Sequence, residues 1–151
     1  MQLSIILRKH STIASVLFLL VLLVGLRFIN EGLFHYDSVN LAQTLEHNAQ
    51  SGEFRGISAG GRYGMVLVAT IVYYPFFLMG QNADFAVRFT GILMLACSAV
   101  AIYFLTFELS RSRLAGITAA LLMSVMPLFI IPSTYGNEHS TAMFFFVLAC
   151  Y

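Results

Sequence analysis

Apolar residues in this chain run in long blocks, not in the alternation of a half-buried strand. The clearest blocks cover residues 11–29, 85–109 and 114–132, and another begins at 141. A helix that crosses a bilayer takes about 20 apolar residues. The first three blocks meet or approach that length. The last is cut off at Tyr151, which predicts an unfinished span and a chain that is the N-terminal portion of a longer protein. A weaker block, 65–80, is short and holds Pro75 beside Tyr73 and Tyr74, which suits an interfacial or re-entrant helix. The predicted fold is all-α, a polytopic transmembrane helix bundle with one long external loop at about 30–84.

Charge sets the direction of the predicted spans. Arg8 and Lys9 precede the first block, and no small-residue cleavage site follows it; the chain continues Arg27-Phe28-Ile29-Asn30-Glu31. An uncleaved anchor with a cytoplasmic N-terminus is therefore expected, with Arg27 snorkelling at the far interface. Between the second and third blocks lies the tight basic turn Ser110-Arg111-Ser112-Arg113. If 65–80 spanned, both arginines would face outward. If it lies at the interface, they join Arg8 and Lys9 in the cytoplasm, as the positive-inside rule prefers. The expected order is then 11–29 outward, 85–109 inward, 114–132 outward and 141–151 inward. Asp37 and the short loop Asn137-Glu138-His139 fall on the same, external face.

Composition agrees with this reading. The 151 residues are 59% hydrophobic and 10% charged, against about a quarter charged in soluble domains. An inner (plasma) membrane, multi-pass location follows as the expectation. A net charge of +1 gives no field for nucleic acid. Cys97 and Cys150 both fall in apolar runs and read as small buried hydrophobes, not a disulfide framework.

Within the long loop, residues 38–50 carry Leu41, Leu45 and Ala49 on one helical face, with Ala42 alongside. Asp37 or Ser38 suits the N-cap and Ser51-Gly52 the stop. Gly56, Gly60, Gly61 and Gly64 mark a flexible connection before the interfacial block, 65–80.

The chemistry-bearing residues are few. Asp37 follows His35 and Tyr36 at the membrane-water boundary. A partly desolvated carboxylate there is a stronger base; the plain alternative is a helix cap worth about 1 kcal/mol. Glu138, beside His139, is a second acid, or equally a group favouring the N-terminal dipole of the helix that follows; Ser140 or Thr141 could cap that helix as well. Arg62 and Arg88 lie at the expected outer boundary and suit a lipid phosphate through the planar guanidinium fork, or are ordinary interfacial arginines. His35, His139, Asp37 and Glu138 are metal-ligand types without a spacing motif, so no metal site is assigned; no cofactor is required, and a divalent ion stays open.

The order of these features resembles the N-terminal part of the GT-C class of polytopic membrane glycosyltransferases, in particular the family of protein O-mannosyltransferases and bacterial aminoarabinose transferases. The resemblance is carried by Tyr36-Asp37-Ser38 through Ala49-Gln50-Ser51-Gly52-Glu53, by Ala86-Val87-Arg88-Phe89-Thr90-Gly91, by Phe107-Glu108-Leu109-Ser110-Arg111-Ser112-Arg113-Leu114-Ala115-Gly116, by Met126-Pro127-Leu128 and by Asn137-Glu138-His139. Two elements depart from the family pattern. The usual Asp-Glu pair is Asp37-Ser38, and Gly61-Arg62-Tyr63-Gly64 stands where a Lys-Pro-Pro segment is common.

The resemblance implies inverting transfer of a sugar from a polyprenyl-phosphate donor to an acceptor glycan, lipid or protein on the outer face. Asp37 would be the general base and Glu138 a positioning acid. Arg62, Arg88, His35, Tyr36 and His139 would be contacts to substrate or lipid phosphate. The fragment alone is expected to be inactive. A transporter or flippase fragment is the rival reading, since Pro75 could mark a broken helix. Transporters place ionisable groups at mid-membrane, whereas the middles of the clear apolar blocks are uncharged here. A structural membrane subunit is the third reading.

Overall fold

The computed structural model describes residues 2–29, 36–55, 63–134 and 139–151, with the backbone alone for 2–9, 36, 37, 63, 128, 129, 132, 139 and 140. The described residues form seven helices and no strand: α1 (Gln2–Arg27), α2 (Tyr36–Ser51), α3 (Tyr63–Leu78), α4 (Ala83–Ser110), α5 (Arg113–Val125), α6 (Pro127–Thr134) and α7 (His139–Cys150).

Helix α4 is the axis of the bundle and packs against each of the other six. Its composition explains why. Ala83, Ala86, Gly91, Ala96, Ser98 and Ala99 are all buried, and such small side chains let neighbouring backbones come close. A Cβ added to Gly91 would collide with the Ser133 carbonyl oxygen at the end of α6. A Cβ on Gly116 of α5 would lie 2.8 Å from the carbonyl oxygen of Tyr103 on α4. Both glycines are where one helix rests on the bare backbone of another.

These contacts also fix helix directions. Helix α1 runs antiparallel to α4: His10 meets Tyr103 and Phe107, and Gly25 meets Ile92. Helices α5 and α6 return along α4 from Tyr103 to Gly91. Helix α7 then follows the direction of α4, with Phe144, Leu148 and Tyr151 beside Cys97, Val100, Ala101 and Phe104. The turn between α4 and α5, with Arg111 and Ser112, lies at the His10 end. Helices α2 and α3 pack at the other end, against Ala83, Ala86 and Val87.

The outer surface is unusual for its apolarity. Leu23 is 64% exposed, Ile71 65%, Leu114 74% and Phe146 65%, one on each of α1, α3, α5 and α7. On α3 the buried face Met65, Val66, Ala69 and Tyr73 is opposed by an exposed stripe Leu67, Ile71, Tyr74 and Leu78. A helix apolar on both faces belongs to a large core or to lipid. Among the described residues, two helices are long and apolar enough to cross a membrane, at His10–Arg27 and Ala83–Ser110. Only 22% and 39% of their apolar windows are buried, unlike the core helix of a soluble protein.

The segment predicted as the 114–132 span is not one continuous helix. The chain there is two helices, broken at Met126, which is extended (φ −65°, ψ 128°). Pro127 is the cause: its ring excludes the preceding residue from the helical region, and it brings no N–H. Cys150 is exposed on α7, not buried as its apolar run predicts, and Cys97 is half-buried; both thiols are free.

Candidate functional site

Helix α2 carries the principal candidate. It begins at Tyr36, two residues before the predicted start of 38, so Asp37 and Ser38 fall within the first turn instead of at the cap. A carboxylate in that turn is still favoured by the helix dipole. The helix is fastened along its inner face. Leu41, Ala42 and Leu45 are buried with Met65, Val66, Ala69 and Tyr73 of α3 and Ala83, Ala86 and Val87 of α4. Ser38, one position from Asp37, is 1% exposed, so the start of α2 sits against its neighbours.

A second fastening is polar. Asn82 at the N-cap of α4 makes no side-chain cap bond. Instead, the backbone N–H of Ala83 donates to Glu46 Oε1 at 3.4 Å, so α2 supplies an acid to the N-terminus of α4. Glu46 also acts on Tyr73, whose phenol is pushed above its ordinary value, first by burial and second by the Glu46 charge. The Tyr73 hydroxyl donates to the Gln81 carbonyl at 3.3 Å, closing the turn between α3 and α4. The linker after α2 is pinned by Asn48, which accepts from Arg55 N–H at 2.9 Å and donates to the Arg55 carbonyl at 3.1 Å.

Of the predicted site residues, Arg88 is described in full. It lies in the second turn of α4, and its Nε donates to the Asp84 carbonyl at 3.1 Å, so the side chain folds back along its own helix. Tyr36, Asp37 and His139 are described by their backbone. His35, Arg62 and Glu138 lie outside the described residues. Helix α7 begins at His139, so Ser140 and Thr141, predicted as caps, are inside its first turn. That turn follows α6, which meets α4 at Gly91. The structure therefore brings the start of α7 to the same half of α4 that holds α2. Among the described residues no three His, Cys, Asp or Glu side chains converge as a metal site.

Two features escape a reading of the sequence. One is the Glu46 cap on α4, which joins residues 37 positions apart. The other is a cavity of about 310 Å³ between the end of α2 and the middle of α3, lined by Asn48, Glu53, Phe54, Thr70, Tyr73 and Tyr74 among others. The aromatic pair Tyr73-Tyr74 is its one visible signal, but that pair also fits an interfacial belt. No family model, curated protein or solved structure matches the chain.

Proposed function

We propose that the chain is the N-terminal part of a multi-pass membrane glycosyltransferase. It would transfer a sugar from a polyprenyl-phosphate donor to an acceptor at the outer face of the inner membrane. The observation that carries this reading is the placement of α2. An acid-bearing helix is clamped by its apolar face onto one end of a bundle whose exposed sides are apolar. Such a bundle suits lipid, and a carboxylate at its end meets both water and a lipid-anchored donor.

Further support comes from the alternating directions of α1, α4, α5–α6 and α7. With the N-terminus in the cytoplasm, that alternation keeps Arg111 and Arg113 on the cytoplasmic side. On this reading α2, α3 and the start of α7 belong to the outer side. Helix α3, apolar on both faces, is the interfacial element, covering the bundle with one face and lipid with the other. The resemblance to the GT-C class adds the chemistry.

In this mechanism Asp37 accepts the proton of the acceptor nucleophile as it attacks the anomeric carbon. The bond to the donor phosphate breaks, and the lipid phosphate leaves as an anion that needs little acid assistance. Glu138 positions the acceptor, and Arg62 and Arg88 meet the lipid phosphate. The test is Asp37→Asn in the full-length protein. Transfer from a polyprenyl-phosphate sugar should be abolished while membrane insertion is unchanged. Turnover at the unaltered rate would remove Asp37 from the reaction.

A further inference from the structure

We infer that the turn between α4 and α5 is a binding site for the headgroup of an anionic phospholipid, with Leu109 and Leu114 set against its acyl chains. The stretch of α4 between Arg88 and Glu108 carries no charge. At about 1.5 Å per residue it is about 29 Å long, close to the hydrocarbon thickness of a bilayer, about 30 Å. The turn that follows Glu108 therefore belongs at the level of the headgroups. There, Leu109 (79% exposed) and Leu114 (74%) are the two most exposed large apolar side chains among the described residues. They bracket Arg111 and Arg113, which are exposed as well. Water offers such leucines nothing. A bound lipid gives them an acyl chain and gives the arginines a phosphate that fits the guanidinium fork.

Charge selects the kind of lipid. Arg111 has a left-handed backbone (φ 54°) at the C-cap of α4. Its guanidinium forks onto Glu108, with Nη2 donating to Oε1 at 2.6 Å and Nη1 to Oε2 at 3.3 Å. Arg113 has no ion-pair partner among the described residues. The backbone of α1 brings Arg8 and Lys9 to the same end, directly before His10, whose ring meets Phe107 one turn ahead of the arginines. Among the described residues, Glu108 is the one acid at this end against Arg8, Lys9, Arg111 and Arg113. A zwitterionic headgroup would bring a cation of its own to this cluster, whereas an anionic one brings only the complementary charge. The site stands apart from Asp37, at the opposite end of the bundle. Only its assignment to the cytoplasmic leaflet rests on the proposed function; the ligand class rests on the turn itself.

The test is native mass spectrometry of the chain in detergent. It is titrated with phosphatidylglycerol or with phosphatidylcholine of the same acyl chains, and separately with inorganic phosphate. Phosphatidylglycerol should be retained more strongly than phosphatidylcholine. Arg113→Gln should weaken that retention about 5-fold, the equivalent of about 1 kcal/mol for one surface cation. Arg113→Lys, which keeps the charge, should retain most of the affinity. Leu109→Ser with Leu114→Ser should weaken retention of both lipids, and Arg55→Gln, at the other end of the bundle, should change neither. Equal retention of the two lipids, or retention indifferent to Arg113→Gln or to the paired serines, would overturn the site. So would equal weakening by Arg55→Gln. Displacement of phosphatidylglycerol by inorganic phosphate at equal concentration would show that free phosphate, not a lipid, is the ligand. Asp37→Asn should leave lipid retention intact, so a failed Asp37 experiment and a failed lipid site remain distinguishable.

Discussion

His10 Nδ1 lies 2.7 Å from the Tyr103 hydroxyl, a buried hydrogen bond that joins α1 to α4 across 93 positions of sequence. The Phe107 ring stands over the imidazole at 4.3 Å, and His10 Nε2 has no partner among the described residues. The pair registers the first helix on the central one. Tyr103→Phe strands a second imidazole nitrogen and should cost about 1–3 kcal/mol. His10→Phe with Tyr103→Phe should cost less than the sum of the two single changes, because an apolar pair leaves nothing unsatisfied. Unfolding in mixed detergent, run as a double-mutant cycle, measures this. Strict additivity would mean that the two side chains do not interact.

The glycine contacts make a sharper contrast. Gly91→Ala drives a methyl into the Ser133 carbonyl and should destabilise the bundle by about 1–3 kcal/mol. Gly64→Ala, at the start of α3, meets nothing within 4 Å. It should be neutral or stabilising by up to about 1 kcal/mol. Thermal unfolding of the two variants side by side would decide it; equal effects would show that α6 does not rest on α4 at Gly91.

Glu46→Ala removes the acceptor for the Ala83 N–H and should cost about 0.5–2 kcal/mol, as loss of a helix cap does. Because Glu46 joins α2 to α4, the loss should show first as faster amide exchange in α2 and at the start of α4. Exchange unchanged in both segments would show that the contact does not hold them.

Tyr73 gives a pH dependence. Burial, and then the Glu46 charge, hold its phenol above the ordinary value of 10.0. The folded state therefore keeps the proton longer than the unfolded chain does. This contribution is fully present below pH 10.0 and is lost as pH rises through the folded value. Melting temperature should fall more steeply above pH 10.0 in the native chain than in Tyr73→Phe. Parallel curves would remove Tyr73 as the source.

Orientation is open to direct labelling. With Cys97 and Cys150 replaced by alanine, a cysteine at Glu53 should react with an impermeant maleimide from outside intact cells. One at Ser112 should react only after lysis. Reaction of Ser112→Cys in intact cells would invert the proposed topology and put α2 in the cytoplasm.

How much is legible in the sequence depends on the range of the interaction. Leu41 and Leu45 at helical spacing mark the buried face of α2 by themselves, because amphipathic periodicity is a local property. The small residues of α4 are visible too, but not which neighbour each touches. Pro127 lies inside the predicted 114–132 span, where its steric effect on Met126 divides the segment into α5 and α6. The cavity beside Thr70 is not legible, since it is the space left between two helices. Its walls are held by the pairing of Asn48 with Arg55 and of Glu46 with Ala83, and neither pair follows from a local pattern.

The sequence by itself determined the all-helical character, the apolar segments and the acid at the start of α2. Each follows from hydrophobicity and backbone propensity within a few turns of chain. Only the tertiary structure decided that α4 is the axis, that α2 caps it through Glu46, and that a cavity is left between α2 and α3. Those depend on backbone approach and on hydrogen bonds between residues tens of positions apart, which no local pattern encodes.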